Sequence, residues 1–158
     1  MTQYPLLFRC QELVAGKGFV AHVDVRGRLV AYKREDGSFW ISGVEPGDVS
    51  AGGATVREAF AVYLESLKGV LVDLALEPET FETFRSDVQE FFGRKDLEEE
   101  ATWRAAVADI RANRDDSRFL NLARLSADEP RGVAVTKIEL DAASPSSNAT
   151  PYPPALAA

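Results

Sequence analysis

The stretch Gly47 to Thr55, GDVSAGGAT, has the composition of a phosphate-binding turn, and an amphipathic segment follows it at once. Backbone amides cradle phosphate in such a turn when a Lys-Ser/Thr pair opens the following helix. Ala54-Thr55-Val56 occupies that place here. What survives is a small anion nest, with Gly52-Gly53 at a helix N-terminus. A hinge from sheet to helix is the favoured reading. Gly16-Lys17-Gly18 reads likewise as a hairpin turn.

His22 is the sole histidine and Cys10 the sole cysteine. His22 could serve as a general base or metal ligand, yet no Ser, Cys or carboxylate partner is assignable to it. A solvated or hydrogen-bonded strand histidine is the simpler reading. A lone cysteine makes neither an internal disulfide nor a Cys-based zinc cluster. Without a positioned base, Cys10 reads as a half-buried strand residue. Glu98-Glu99-Glu100 could meet a basic partner, but acidic residues also favour the first turn of a helix, and that is sufficient reason for them. No catalytic, cofactor-binding or metal residue is assigned, and no cofactor is expected. Asn148-Ala149-Thr150 matches a glycosylation acceptor and reads as accidental without a secretion signal.

The elements that must position these residues follow from periodicity. YPLLFRCQELV is a strand, and after Ala15–Gly18 the pattern alternates. Phe19, Ala21, Val23 and Val25 face one way, Val20, His22 and Asp24 the other. Arg26-Gly27 reads as a turn into RLVAYKRE. Asp36-Gly37 is a strong hairpin signal leading to the return strand SFWISGV, and Pro46-Gly47 ends the sheet. Thr55 and Glu58 have capping-box spacing, predicting a helix from Val56. Val56, Phe60, Tyr63, Leu67, Val70, Leu71 and Leu74 lie on one face of it. Gly69 costs about 1 kcal/mol inside a helix, so close packing is its expected reason.

Pro78 opens a second helix with a stripe of Phe81, Phe84, Val88 and Phe91, read as core or dimer interface; Gly93 stops it. Asp96 and Glu99 cap a third helix, carrying Trp103, Val107 and Ile110 and an i,i+4 pair, Glu100 and Arg104. DDSRFLNLARL is a short helix or an ordered loop. GVAVTKIEL returns to strand character. The expected division is 1–76 as sheet plus helix core, 77–125 as helical extension, 126–141 as a late strand, and 142–158 as a Pro-rich flexible tail.

The chain has 158 residues and a net charge of -7. Residues 55–114 hold eight basic and thirteen acidic side chains. With no strong basic patch, direct nucleic-acid binding is not expected, since phosphate neutralisation dominates it. A basic protein partner suits the charge better, although acidity also serves solubility alone. No apolar run reaches bilayer-spanning length and the N-terminus lacks signal-peptide character, so the expectation is cytoplasmic, without membrane contact.

DGSFWISGVEPGDVSAGGATVREAFAVYLESL resembles the core of HicB-like antitoxins. The resemblance covers roughly residues 28–76 and rests on Asp36-Gly37, Phe39-Trp40, Pro46-Gly47, Ser50, Gly52, Thr55, Glu58 and Ala59. It implies a partial RNase H fold of α+β class: an antiparallel meander packed on a long helix, here followed by added helices and a late strand. A nuclease of that fold gathers carboxylates around magnesium; Asp24 alone lies in a confident strand, so an inactive scaffold is expected. Family members often end in a DNA-reading motif, and none is found here. The function implied is non-catalytic: a homodimeric antitoxin that occludes a small basic RNase toxin. Phe39, Trp40, Glu98, Glu99 and Glu100 are the candidate partner contacts. The alternative is a stand-alone dimeric protein- or ligand-binding module on the same scaffold.

Overall fold

The computed structural model describes residues 2–112, 124–140 and 152–157. Ten elements occur in the order β1 (Thr2–Ala15), β2 (Val20–Lys33), β3 (Phe39–Glu45), β4 (Ser50–Gly53), α1 (Val56–Leu76), α2 (Phe81–Gly93), α3 (Leu97–Ala112), β5 (Arg124–Leu125), β6 (Gly132–Lys137) and β7 (Ala155–Ala157). The class is α+β, with a mixed seven-stranded sheet and three helices among the described residues. The strand order is β4-β3-β2-β1-β7-β5, and β6 pairs with β2 beyond the end of β3. All pairings are antiparallel except β5 with β7.

A long β1–β2 hairpin forms the spine. Its turn needs Gly18 at φ 75°, a backbone that side chains disfavour. Arg26-Gly27 is not a turn: β2 runs unbroken from Val20 to Lys33. Gly27 is there for close approach instead. A Cβ at that position would lie 2.4 Å from the Glu45 carbonyl oxygen and 2.5 Å from the Phe8 ring. The expected turn at Asp36-Gly37 does form. Gly37 has φ 84°, and the Asp36 carboxylate accepts from the Ser38 amide at 2.9 Å and its hydroxyl at 2.6 Å.

Strand alternation sorts the side chains into two cores. Leu6, Phe8, Val23, Val25, Leu29, Ala31, Phe39 and Ile41 meet α1 and α2 on one face. Leu7, Val30 and Val44 meet Trp103 and Val107 of α3 on the other. The sheet is thus covered on both sides at its β3 end. On α1, Phe60, Tyr63, Leu67 and Leu71 are buried as the periodicity predicts. On α2 the buried face is Phe84, Val88 and Phe92, with Phe81 and Phe91 half-buried at its rim.

Four local expectations change. Pro78 does not open α2, which starts at Phe81, with Thr80 capping it by accepting from the Thr83 amide at 3.2 Å. SAGG has weak strand propensity, yet it forms edge strand β4 against β3. Gly69 is exposed, and a Cβ there would meet nothing within 4 Å, so packing is not its reason. Within the expected flexible tail, Ala155–Ala157 are buried as β7, pairing with β1 through Leu6–Leu156 and Leu7–Ala155. Residues 113–123, which include all of DDSRFLNLARL but Arg124-Leu125, the sequon at 148–150, and the rest of 141–151 with 158 lie outside the described residues.

Candidate binding surface

Within GDVSAGGAT, Ser50–Gly53 continue the sheet as β4, so the sheet does not end at Pro46-Gly47 and only Ala54-Thr55 carry the chain from strand to helix. The Glu58 amide donates to Thr55 Oγ1 at 3.1 Å, and the Glu58 carboxylate accepts from the Ala54 amide at 3.0 Å. The α1 N-terminus is therefore occupied by the chain's own carboxylate, where an anion nest would need free amides. Gly53 is required by contact, since a Cβ would lie 2.4 Å from the Ala59 amide nitrogen.

Arg9 grips Asp24 through Nε at 3.1 Å and Nη2 at 2.9 Å. Burial opposes ionisation of Asp24, but these hydrogen bonds outweigh it and hold its carboxyl below the usual range. Burial pushes the Cys10 thiol up to about 12, leaving no thiolate near neutrality. His22 stands half-buried between Leu13 of β1 and Thr136 of β6. Among the described residues, no three His, Cys, Asp or Glu side chains gather within metal-ligand reach.

The five candidate partner contacts are distributed unequally. Phe39 is buried in the α1-side core. Trp40 projects from the opposite face, as the cross-strand partner of Tyr32, and is 37% exposed beneath the Arg34 guanidinium at 5.4 Å. Glu98 is exposed; Asp96 caps α3 by accepting from the Glu98 amide at 2.9 Å and the Glu99 amide at 3.0 Å. Glu99 and Glu100 turn inward. The Tyr32 hydroxyl donates to Glu99, and burial together with that carboxylate raises the Tyr32 phenol above its ordinary range.

Glu100 docks α3 onto β2 through Arg28, whose side chain is 1% exposed. Arg28 Nη1 and Nη2 each reach Glu100 at 3.2 Å, and Nη2 reaches Glu45 at 3.0 Å. The guanidinium lies 5.1 Å from the Trp103 ring centre, a cation–π contact. Burial opposes the Glu100 charge, but Arg28 outweighs it and lowers its pKa. One of the three glutamates thus faces solvent while two fasten a helix. The heptad-like stripe of α3 gave no sign of this, because the buried cation lies about seventy residues earlier.

A surface that periodicity did not single out lies on α1. Val62, Val72 and Leu76 are 51%, 55% and 59% exposed on the pole opposite the buried stripe. Exposed Gly69 lies between them, and exposed Glu58, Glu65 and Asp73 share the same pole. Glu65 meets Lys68 at 3.4 Å in an exposed pair, and Lys68 also reaches Glu12 at 3.5 Å. The signal for this face was present in the spacing 62, 69, 76 and 65, 72, hidden behind the stronger buried stripe. Among the described residues no helix is long and apolar enough to cross a membrane. Compared with protein-family models, curated proteins and solved structures, the chain matches none of them.

Proposed function

We propose that this chain is a HicB-like antitoxin-type protein: a non-catalytic, homodimeric binder that covers a small basic RNase toxin. The observation that carries the reading is the outer pole of α1, where three large apolar side chains stand in water among carboxylates. Such a face loses free energy in solvent and gains it against a partner with complementary charge and an apolar centre. The acidic balance of residues 55–114 steers a basic protein toward it. The resemblance over residues 28–76 supplies the class of partner. Inhibition would be steric, the antitoxin occupying the surface on which RNA must lie. Trp40 and Glu98, both exposed on the α3 side of the sheet, provide a second contact region for a partner that wraps the β4 edge.

Affinity capture of the tagged full chain from its native cells, with and without nuclease, tests this. The expected result is stoichiometric recovery of one small basic protein under both conditions, lost with Val72→Lys/Leu76→Lys. Absence of such a protein, or recovery indifferent to those substitutions, contradicts it.

A further inference from the structure

Arg9 of β1 and Arg26 of β2 are direct cross-strand partners. Like charges placed opposite each other destabilise a sheet. Asp24 compensates Arg9 in the bidentate pair described above. Arg26 has no carboxylate within ion-pair distance among the described residues, and neither has Arg131. Arg131 enters the same region because Gly132, at φ 133°, bends the chain into β6, whose first residue pairs with Arg26. Its Nη1 donates to the Ala127 carbonyl at 3.3 Å, and its guanidinium lies 5.9 Å from the Trp103 ring centre. Burial, followed by the charge of Arg28, pulls Arg131 below the usual arginine range. Arg131 is therefore held where burial and a neighbouring cation disfavour its charge, while exposed Arg26 faces Arg9 across the strands.

Between them lies a cleft of about 360 Å³. Leu7, Leu125, Pro130 and Pro153 supply apolar wall, Arg9, Arg26 and Arg131 supply charge, and Glu129 is the one carboxylate in the lining among the described residues. Tyr152 closes one side, its ring centre 5.2 Å from the Arg9 guanidinium. The volume lies in the range of small-molecule sites, and the pattern of apolar wall with a few convergent charges is theirs also. Guanidinium forks match planar or tetrahedral oxyanions through paired N–H donors.

We propose that this cleft binds a small oxyanion, carboxylate or phosphate, carried on an apolar body, with Arg26 and Arg131 holding the anion. The apolar end lies against Leu7, Leu125 and Pro153, and the bound charge relieves the Arg9–Arg26 opposition. The site is separate from the outer pole of α1 and does not depend on a protein partner.

The test is an NMR titration of the isotope-labelled full chain with octanoate, octyl phosphate and octanol. Saturable shifts clustered at Leu7–Arg9, Arg26–Gly27 and Glu129–Arg131 are expected for both anions, with octanol at least about tenfold weaker. The tighter anion identifies which oxyanion the cleft prefers. Arg26→Gln and Arg131→Gln should each weaken the anions about tenfold without moving the octanol response. If a variant fails to fold, the wild-type shift map and the octanol comparison decide alone. The proposal is overturned if no saturable binding occurs, if octanol binds as well as the anions, or if the shifts cluster elsewhere.

Discussion

Replacing Arg28 by Met should destabilise the fold by about 3–5 kcal/mol, the range for leaving buried ions without their partner. The structure sets this size. Arg28 is 1% exposed, and Glu45 and Glu100 are 15% and 14% exposed, so neither carboxylate regains full hydration when the cation is removed. A pair about 4 Å apart is worth about 1 kcal/mol in water and about 4 kcal/mol at the effective dielectric near a protein surface. Two carboxylates sharing one guanidinium gain less than twice that, and desolvation of all three ions takes much of it back. Buried Nε has no hydrogen-bond partner among the described residues, which subtracts further. What remains is a strong cost for removing one member, with little net gain from the assembled cluster. Urea denaturation of Arg28→Met, Glu100→Gln and the double variant measures it. The singles should sum to more than the double, with a coupling of about 1–3 kcal/mol. A loss below about 1 kcal/mol for Arg28→Met would instead mark these ions as solvated pairs, contrary to their burial.

Three further outcomes follow from the geometry. Gly69→Ala should stabilise the protein by about 1 kcal/mol in the same denaturation assay, since the Cβ meets nothing within 4 Å and α1 gains propensity. Gly53→Ala should instead destabilise it, by about 1–3 kcal/mol, because the new Cβ would lie 2.4 Å from the Ala59 amide nitrogen. Glu100 and Asp24 titrate below their ordinary values of 4.5 and 3.8 in the folded chain. Their contribution is present above those values and is lost as pH falls through the lower folded ones. Melting temperature should therefore drop below about pH 4.5, and Asp24→Asn should flatten that dependence.

Much of the architecture was legible because local rules and tertiary packing agree. Thr55 and Glu58 cap α1, Asp96 caps α3, Asp36-Gly37 turns the hairpin, and the alternation after Phe19 sorts core from open face. The misreadings share a cause: the deciding neighbour lies far along the chain. Gly27 resembles a turn residue until Phe8 and Glu45 are seen against it. Ala155–Ala157 carry no strand pattern, and only pairing with Leu6 and Leu7 makes them one. Glu98, Glu99 and Glu100 read as a helix start and as candidate partner contacts alike, but Tyr32 and Arg28 draw two of the three inward. The exposed α1 pole was obscured differently. A helix with apolar residues on both poles shows a blurred period, and burial alone separates the face that folds the chain from the one that is left in water.

The most direct test of the proposed function is an RNA-cleavage assay with the captured basic protein, purified free of this chain and then titrated with it. Cleavage should cease near one equivalent and persist when Val72→Lys/Leu76→Lys is added instead. Cleavage that continues at saturating wild-type chain, or a captured protein with no RNase activity of its own, would contradict the antitoxin reading.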